Sequence, residues 1–592
     1  MKIRKKFLWP ALAGAALFIQ SVTASNVFAQ GYLHADGKRI VNEKGENVLL
    51  RGMGLGGWML QEGYMLGLNA EGQQYKIRER IEALIGKKQT EEFYESWLSN
   101  HTTKADIDSL KAWGFNSVRL PMHYNLYTLS IDEEPVAGKN TWLEKGFRLT
   151  DSLLAWCKAN NMYLILDLHA APGGQGNDLN ISDRNPSKPS LWESDANQKK
   201  MVALWRKLAE RYVNEPMIGG YDIINEPNWG FQNLEKDKNG TGEQKNEPLR
   251  KLMVDITKAI REVDKKHIII IEGNGWGNNY NGVLPQWDNN MVLSFHKYWN
   301  FNDQASIQHI INFRDKYNIP AWLGETGENS NVWFTEAVRL LEKNNIGWSW
   351  WPLKKLGFNN PLQIRSNPNY DQVLRYWNGK GNKPGESNAY SGLMELARYT
   401  NISTNILHKD VVDAMIRQPF TSETKPFAAQ ILNDNLEIKA VNYDLGQNGF
   451  AYYDKDTANY HISTGKRSSG NKGGSYRNDG VDIRKSAEDY EHYFVSDFED
   501  AEWLQYSFNV ASSGKYTIRL KVASDKDDAK VSVMGGNKYL AKGIAVPNTG
   551  NAEKWQIVEI KNINLNKGKN QLRIAAEKGG FNFSSIELSK AF

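Results

Sequence analysis

The chain has 592 residues, carrying 73 Lys and Arg against 68 Asp and Glu for a formal charge of +5. Lys2, Arg4, Lys5 and Lys6 supply most of that excess, so the remainder is close to neutral and offers no electrostatic case for a nucleic-acid or anionic-membrane partner. A single cysteine, Cys157, excludes an intramolecular disulfide and leaves stability to large apolar cores, for which the length of two or more domains suffices.

The basic start runs into an apolar stretch from Phe7 to Val22 and then Val27-Phe28-Ala29. This is the pattern of a secretory signal peptide over 1–29, and it predicts export to the periplasm or the medium. No other stretch is apolar enough to span a bilayer, so no membrane partner is expected. A polar hairpin pattern from residue 32 leads into RGMGLGGW.

Short apolar runs then alternate with helical stretches. The predicted strands are Val48 to Met53, Asn116 to Leu120, Tyr163 to His169, Gly220 to Asn225, His267 to Glu272, Met291 to His296, Ala321 to Glu325 and Gly347 to Trp351. Amphipathic helices at 197–212 and 246–266 lie between them. Eight such units predict an α/β fold, a (β/α)8 TIM barrel over 30–418, with its site at the C-terminal ends of the strands. An open doubly wound sheet would need a phosphate loop, and no GxGxxG follows a strand. Cys157, inside LTDSLLAWCKANN, reads as a buried structural thiol.

The stretch 358–389, rich in Asn, Pro and Gly, reads as irregular, and LHKDVVDAMIRQ as a final helix. Residues 419–434 read as a linker or interdomain brace. From 435 to 592 helical periods give way to alternating runs such as EWLQYSFNV and GKYTIRLKVAS, which predict an all-β sandwich of jelly-roll, galactose-binding-like type. Such a module is expected to be separable from hydrolysis of soluble substrates.

Two of the apolar runs end in carboxylates: YDIINEP delivers Glu226 from strand four, and AWLGETG delivers Glu325 from strand seven. Both face one rim, where a proton donor and a nucleophile about 5–5.5 Å apart cleave glycosidic bonds with retention. Asn225 is placed to meet a sugar 2-hydroxyl, and Arg119 to hold the nucleophile ionised. His169, His296 and Tyr298 end neighbouring strands, and Trp351 can floor a sugar subsite. Asn214-Glu215-Pro216 repeats the tripeptide eleven residues earlier, but in the loop at the foot of the barrel. Glu272 also ends a strand and is a candidate substrate contact, whereas Glu328 reads as a loop residue. No His, Asp or Glu cluster has metal-ligand spacing in sequence, so no metal is expected.

The ordered set Arg119, His169, Asn225-Glu226-Pro227, His296-x-Tyr298, Glu325 and Trp351 resembles glycoside hydrolase family 5 over most of 40–410. The resemblance implies a retaining (β/α)8 enzyme with Glu226 as acid/base and Glu325 as nucleophile. Residues 437–592 resemble a carbohydrate-binding module of family 6, through YRNDGVDI, EWLQY and GGFNF among others. That resemblance places an aromatic sugar sandwich on Tyr476 and Trp555 and a hydrogen-bonding amide on Asn582. Many such modules carry an acidic residue near their start for a structural calcium. Ala440-Val441-Asn442 lacks it, so no cofactor is expected and calcium is left open.

The expected function is a secreted, monomeric β-glucan hydrolase. RGMGLGGW and DLHAAPGGQGND lean towards β-1,3- or β-1,6-glucan. An endo-β-1,4-glucanase is the alternative within the enzyme class, and a transglycosylase would use the same residues. A non-catalytic polysaccharide-binding protein would lack one of the two carboxylates.

Overall fold

The computed structural model describes residues 31–591 apart from Ala70, Ser469 and Tyr490. The expected signal peptide lies outside the described residues. Each of the predicted runs supplies one strand of a closed, all-parallel barrel: β1 (Arg51–Gly54), β2 (Ser117–His123), β3 (Tyr163–Ala170), β4 (Ile218–Asp222), β5 (Ile269–Glu272), β6 (Met291–Lys297), β7 (Ala321–Gly327) and β8 (Gly347–Trp351). Runs such as Leu164-Ile165-Leu166 and Ile269-Ile270-Ile271 are unbroken because helices cover the outer face and side chains fill the inner one.

The helices begin where short polar side chains satisfy their free N–H groups. Ser194, Asp303 and Ser330 accept from the backbone of Asn197, Ser306 and Trp333. The helix Glu247–Arg261 turns Leu249, Leu252, Met253, Ile256 and Ile260 onto the barrel. Cys157 is buried in Glu144–Ala159. Glu215 sits in the turn before β4, at the foot, where it pairs with Lys158 at 2.7 Å.

Two glycines of RGMGLGGW have a steric reason. A Cβ on Gly54 or on Gly56 would fall 2.7 Å from the ring of Trp351, so their absence of a side chain is what admits that indole at the rim. The stretch 358–389 is not irregular throughout. It holds the helix Pro368–Trp377, opened by the Asn367 cap with proline in the first helical position, and packed with Gln74–His101 and Glu386–Tyr399 in a satellite core.

The C-terminal unit is a sandwich of two six-stranded sheets. One is centred on Trp503–Val510 and Gly568–Lys578, the other on Phe581–Lys590 and Gly514–Ser524. Leu504, Tyr506, Ile518, Leu520, Ile574 and Phe583 fill the space between them. The expected boundary moves, because Ile431–Leu432, inside the segment read as linker, already pairs in parallel with Asn509 and Val510.

The two units share a buried polar seam. Asn331 donates to Asp479 at 2.9 Å, the Asn478 N–H donates to Asp410 at 2.8 Å, and the Asn478 side chain donates to the Asn329 carbonyl at 2.8 Å, with Asn331 also bonded to Asp410 within the barrel unit. Ala458, from the C-terminal unit, belongs to the barrel's own core. Among the described residues no helix is long and apolar enough to cross a membrane.

Candidate active site

Arg119 projects from β2 into the barrel and is fully buried. Its guanidinium touches four carboxylates: Glu325 at 2.9 Å, Asp222 at 3.0 Å, and Asp167 and Glu272 at 3.3 Å each. Those anions overcome the burial that opposes its charge, so Arg119 stays a cation. It also donates to Asn225 Oδ1 at 2.7 Å.

Glu325, at the end of β7, has both oxygens occupied. Arg119 holds Oε2, and the Tyr298 hydroxyl donates to Oε1 at 2.8 Å. Those two donors fix the carboxylate's orientation at the strand end. Glu226, four residues past β4, adopts a left-handed backbone (φ 42°), a strained conformation for a non-glycine residue. Its N–H donates to Glu272 Oε2 at 2.7 Å, and that contact helps to hold the turn.

The Glu226 carboxyl meets His296 Nδ1 at 2.7 Å. Burial pushes its pKa up to about 7; His296 works against the rise, while Glu325 and Glu272 add to it. His296 is itself resisted by burial, but Glu272, Glu325 and Glu226 hold it well above an ordinary imidazole, so the pair shares a proton. His296 Nε2 lies 3.1 Å from Glu272 Oε1, in ion-pair range but out of line for a hydrogen bond. The nearest ligand atoms of Glu226, His296 and Glu325 all lie within 4.8 Å of one another.

His169 is neutral, pushed down to about 3 by burial first, with Arg119 adding to the fall and Glu325 opposing it. Nδ1 faces Asp167 Oδ2 at 2.8 Å, which leaves Nε2 to accept from Asn225 Nδ2 at 3.3 Å. Its ring stacks on Trp351 at 5.0 Å and 6°. Trp351 in turn donates to the Tyr64 hydroxyl at 3.0 Å. Trp348 and Trp350 point the other way, into Phe115, Trp333 and Phe334.

Above these residues opens a cleft of about 590 Å³. Glu226, Glu325, His169, His296, Tyr298 and Trp351 line it, whereas Arg119 and Asn225 lie beneath its floor. Asn225 is fully buried with Oδ1 on Arg119 and Nδ2 on His169, so its amide is engaged by protein. Glu272, the candidate substrate contact, is likewise buried, between Arg119, His296 and the Glu226 N–H. The sequence reading missed Glu62, Tyr64, Asp178, Trp276 and Trp299, which come from loops without periodicity, and it treated Glu328 only as a loop residue; all six line the cleft. Glu62 is raised well above a normal carboxylate by burial and then by Glu325, Glu328 and Glu226.

In the sandwich, Tyr476 packs against Tyr493 at 5.0 Å and Phe427 at 6.0 Å, with its hydroxyl on Asn442 at 2.6 Å. Trp555 meets Phe494 and His492 edge-on at 5.3 and 5.6 Å. Asn582 donates to the Ala552 carbonyl at 2.7 Å and accepts from Asp497 N at 3.2 Å.

Residues 69–357 match the family model for cellulase, glycosyl hydrolase family 5, and residues 474–590 that for carbohydrate binding module family 6. A β-xylosidase of Phanerodontia chrysosporium is 26% identical over 58% of this chain and 75% of its own length. Endoglucanase C of Acetivibrio thermocellus is 26% identical over 45% of the chain and 88% of its own length. A glucan 1,3-beta-glucosidase of Candida oleophila is 27% identical over 31% of the chain and 43% of its own length. The chain is therefore a glycoside hydrolase, its catalytic barrel a member of family 5 and its C-terminal unit a carbohydrate binding module of family 6.

Proposed function

We propose that the enzyme hydrolyses β-glucan with retention of configuration, Glu325 attacking the anomeric carbon and Glu226 serving as acid and then base. One observation carries this reading: two carboxyl groups within 4.8 Å, one clamped by Arg119 and Tyr298, the other raised to about 7. Protonated Glu226 gives its proton to the leaving oxygen as Glu325 forms the glycosyl ester. Glu226, now ionised, takes a proton from water, whose oxygen displaces Glu325 and frees the sugar. Trp351 and Tyr298 border the sugar at this centre, while His169 and Asn225 act from below by fixing the floor.

The substrate is a β-1,3- or β-1,6-glucan, favoured by RGMGLGGW, DLHAAPGGQGND and the likeness to a glucan 1,3-beta-glucosidase. A β-1,4-glucan is the second reading, favoured by the likeness to an endoglucanase. Tyr476, Trp555 and Asn582 are proposed as the sugar contacts of the sandwich. No metal is proposed. The Glu226, His296 and Glu325 atoms are close enough to ligate an ion, but the Arg119 cation already neutralises Glu325. The enzyme is proposed to act outside the cytoplasm after removal of 1–29.

Digestion of laminarin, pustulan, lichenan, carboxymethylcellulose, mannan and xyloglucan, with NMR of the first-formed anomer, tests the reading. Cleavage of laminarin or pustulan to the β-anomer supports it. Inversion, or no cleavage of any glucan, overturns it.

A further inference from the structure

Between Tyr452–Tyr453 and Ile483–Lys485 the chain leaves its own sheet and crosses to the barrel. Its attachment there is specific. Ser330 Oγ donates to the Thr457 carbonyl at 2.5 Å, and Asn329 and Asn459 exchange hydrogen bonds of 2.7 and 3.0 Å. The Tyr460 hydroxyl donates to Glu336 at 2.8 Å. These contacts set the short helix His461–Thr464 over the loop that follows β6.

That loop carries Trp299, whose left-handed backbone (φ 52°) needs support from outside. The support comes from both units. Trp299 Nε1 donates to the Glu328 carbonyl at 3.0 Å, its own carbonyl accepts from Ile462 N at 3.1 Å, and the His461 ring lies over it at 5.2 Å. Phe301 N donates to Ser463 Oγ at 2.9 Å.

The outcome is that Ile462, 63% exposed, stands on the wall of the same cleft as Glu226 and Glu325. A lone surface isoleucine is ordinary. This one is fixed by the anchored segment 457–463 and continues the wall begun by Trp299. An indole and an aliphatic side chain placed side by side offer an apolar surface to the C–H face of a pyranose.

We infer that the C-terminal unit completes the active-site cleft, Ile462 and Trp299 forming an outer subsite for a sugar beyond the one held at the two glutamates. The inference rests on the glucan-hydrolase reading. It makes the sandwich a determinant of which chain lengths are cut, in addition to any grip on polymer.

Full-length Ile462→Asp tests it on two substrates of the linkage the wild type hydrolyses: a hexasaccharide, and the shortest aryl oligosaccharide that the enzyme cleaves. The expected result is a KM about ten-fold higher on the hexasaccharide with kcat unchanged, and less than about a two-fold change on the short substrate. Ile462→Leu restores the wild-type KM. Unchanged KM on both substrates overturns the inference, as does an equal loss on both, which would mean a purely structural role. A wild type inactive on every glucan overturns the glucan reading itself, a failure recognisable before either variant is assayed.

Discussion

Among the described residues two arginines lie fully buried, and their surroundings differ in one respect that separates chemistry from architecture. Arg477, at the seam, pairs with Asp479 at 2.6 Å and lies over the Tyr443 ring at 3.6 Å. Asp479 is completed by Asn331 at 2.9 Å and Tyr443 at 3.0 Å, and Arg477 also donates to the Tyr443 and Asp444 carbonyls, so one cation meets one carboxylate with only Nε left without a hydrogen bond. Arg119 faces four carboxylates. Asp167 and Asp222, register partners on β3 and β4, are each raised well above normal, chiefly by burial, and each keeps Oδ1 without a hydrogen bond. A surplus of buried acid over base, reaching a cleft through Glu325, must keep some carboxyls protonated; a balanced pair sealed from water is a brace.

Substitutions should divide along that line. The largest expected effect is from Glu325→Gln, which should lower turnover on glucan by more than about 10⁴-fold while the melting temperature moves little. Turnover near wild type would remove Glu325 from the mechanism. Glu226→Ala should cost about 10²- to 10⁴-fold on substrates with poor leaving groups and far less on activated aryl glycosides. Equal losses on both would mean that no proton is given to the leaving oxygen.

At the seam, Arg477→Met should lower unfolding free energy by about 3–5 kcal/mol, by stranding Asp479, with kcat of the folded fraction unchanged. Denaturant unfolding and active-site titration measure the two separately. Arg119→Met, by contrast, should reduce both quantities.

The smallest effect concerns pH. The Glu226 pKa of about 7 lies above the value near 4.3 of an unfolded chain, so its stabilising contribution is full below that lower value and disappears as pH rises through about 7. Glu226→Gln should therefore gain on the order of 3–4 kcal/mol relative to wild type at pH 8 and nothing at pH 4. Wild-type kcat/KM should fall over the same alkaline range. A profile flat to pH 9 would contradict the proton sharing with His296.

The barrel was legible because a strand covered on both faces leaves an unbroken apolar run, and each run that ends in Glu, His or Trp announces what it carries to the rim. Glu226, Glu325, His296 and Trp351 were found in that way. Asn225 and Glu272 were assigned to the substrate, but sequence does not distinguish a side chain on the floor of a cleft from one just under it. Glu62, Tyr64 and Trp299 belong to loops, whose reach depends on packing rather than period. The return of 457–464 to the barrel had no signal at all, since alternation along a strand describes only its own sheet. Asn367-Pro368 is the reverse case: the helix-start signal was present and the surrounding Asn and Gly obscured it.

The interlocked seam has a consequence for action on a polymer. A catalytic unit on a slack tether searches a volume set by the tether, and gripping and cutting then occur at unrelated points along the strand. Here Asn331, Asp410, Asn478 and Asp479 weld the two halves into one body. For any polysaccharide gripped by the sandwich, the distance from grip to the two glutamates is therefore set by the fold, as a gauge sets a length.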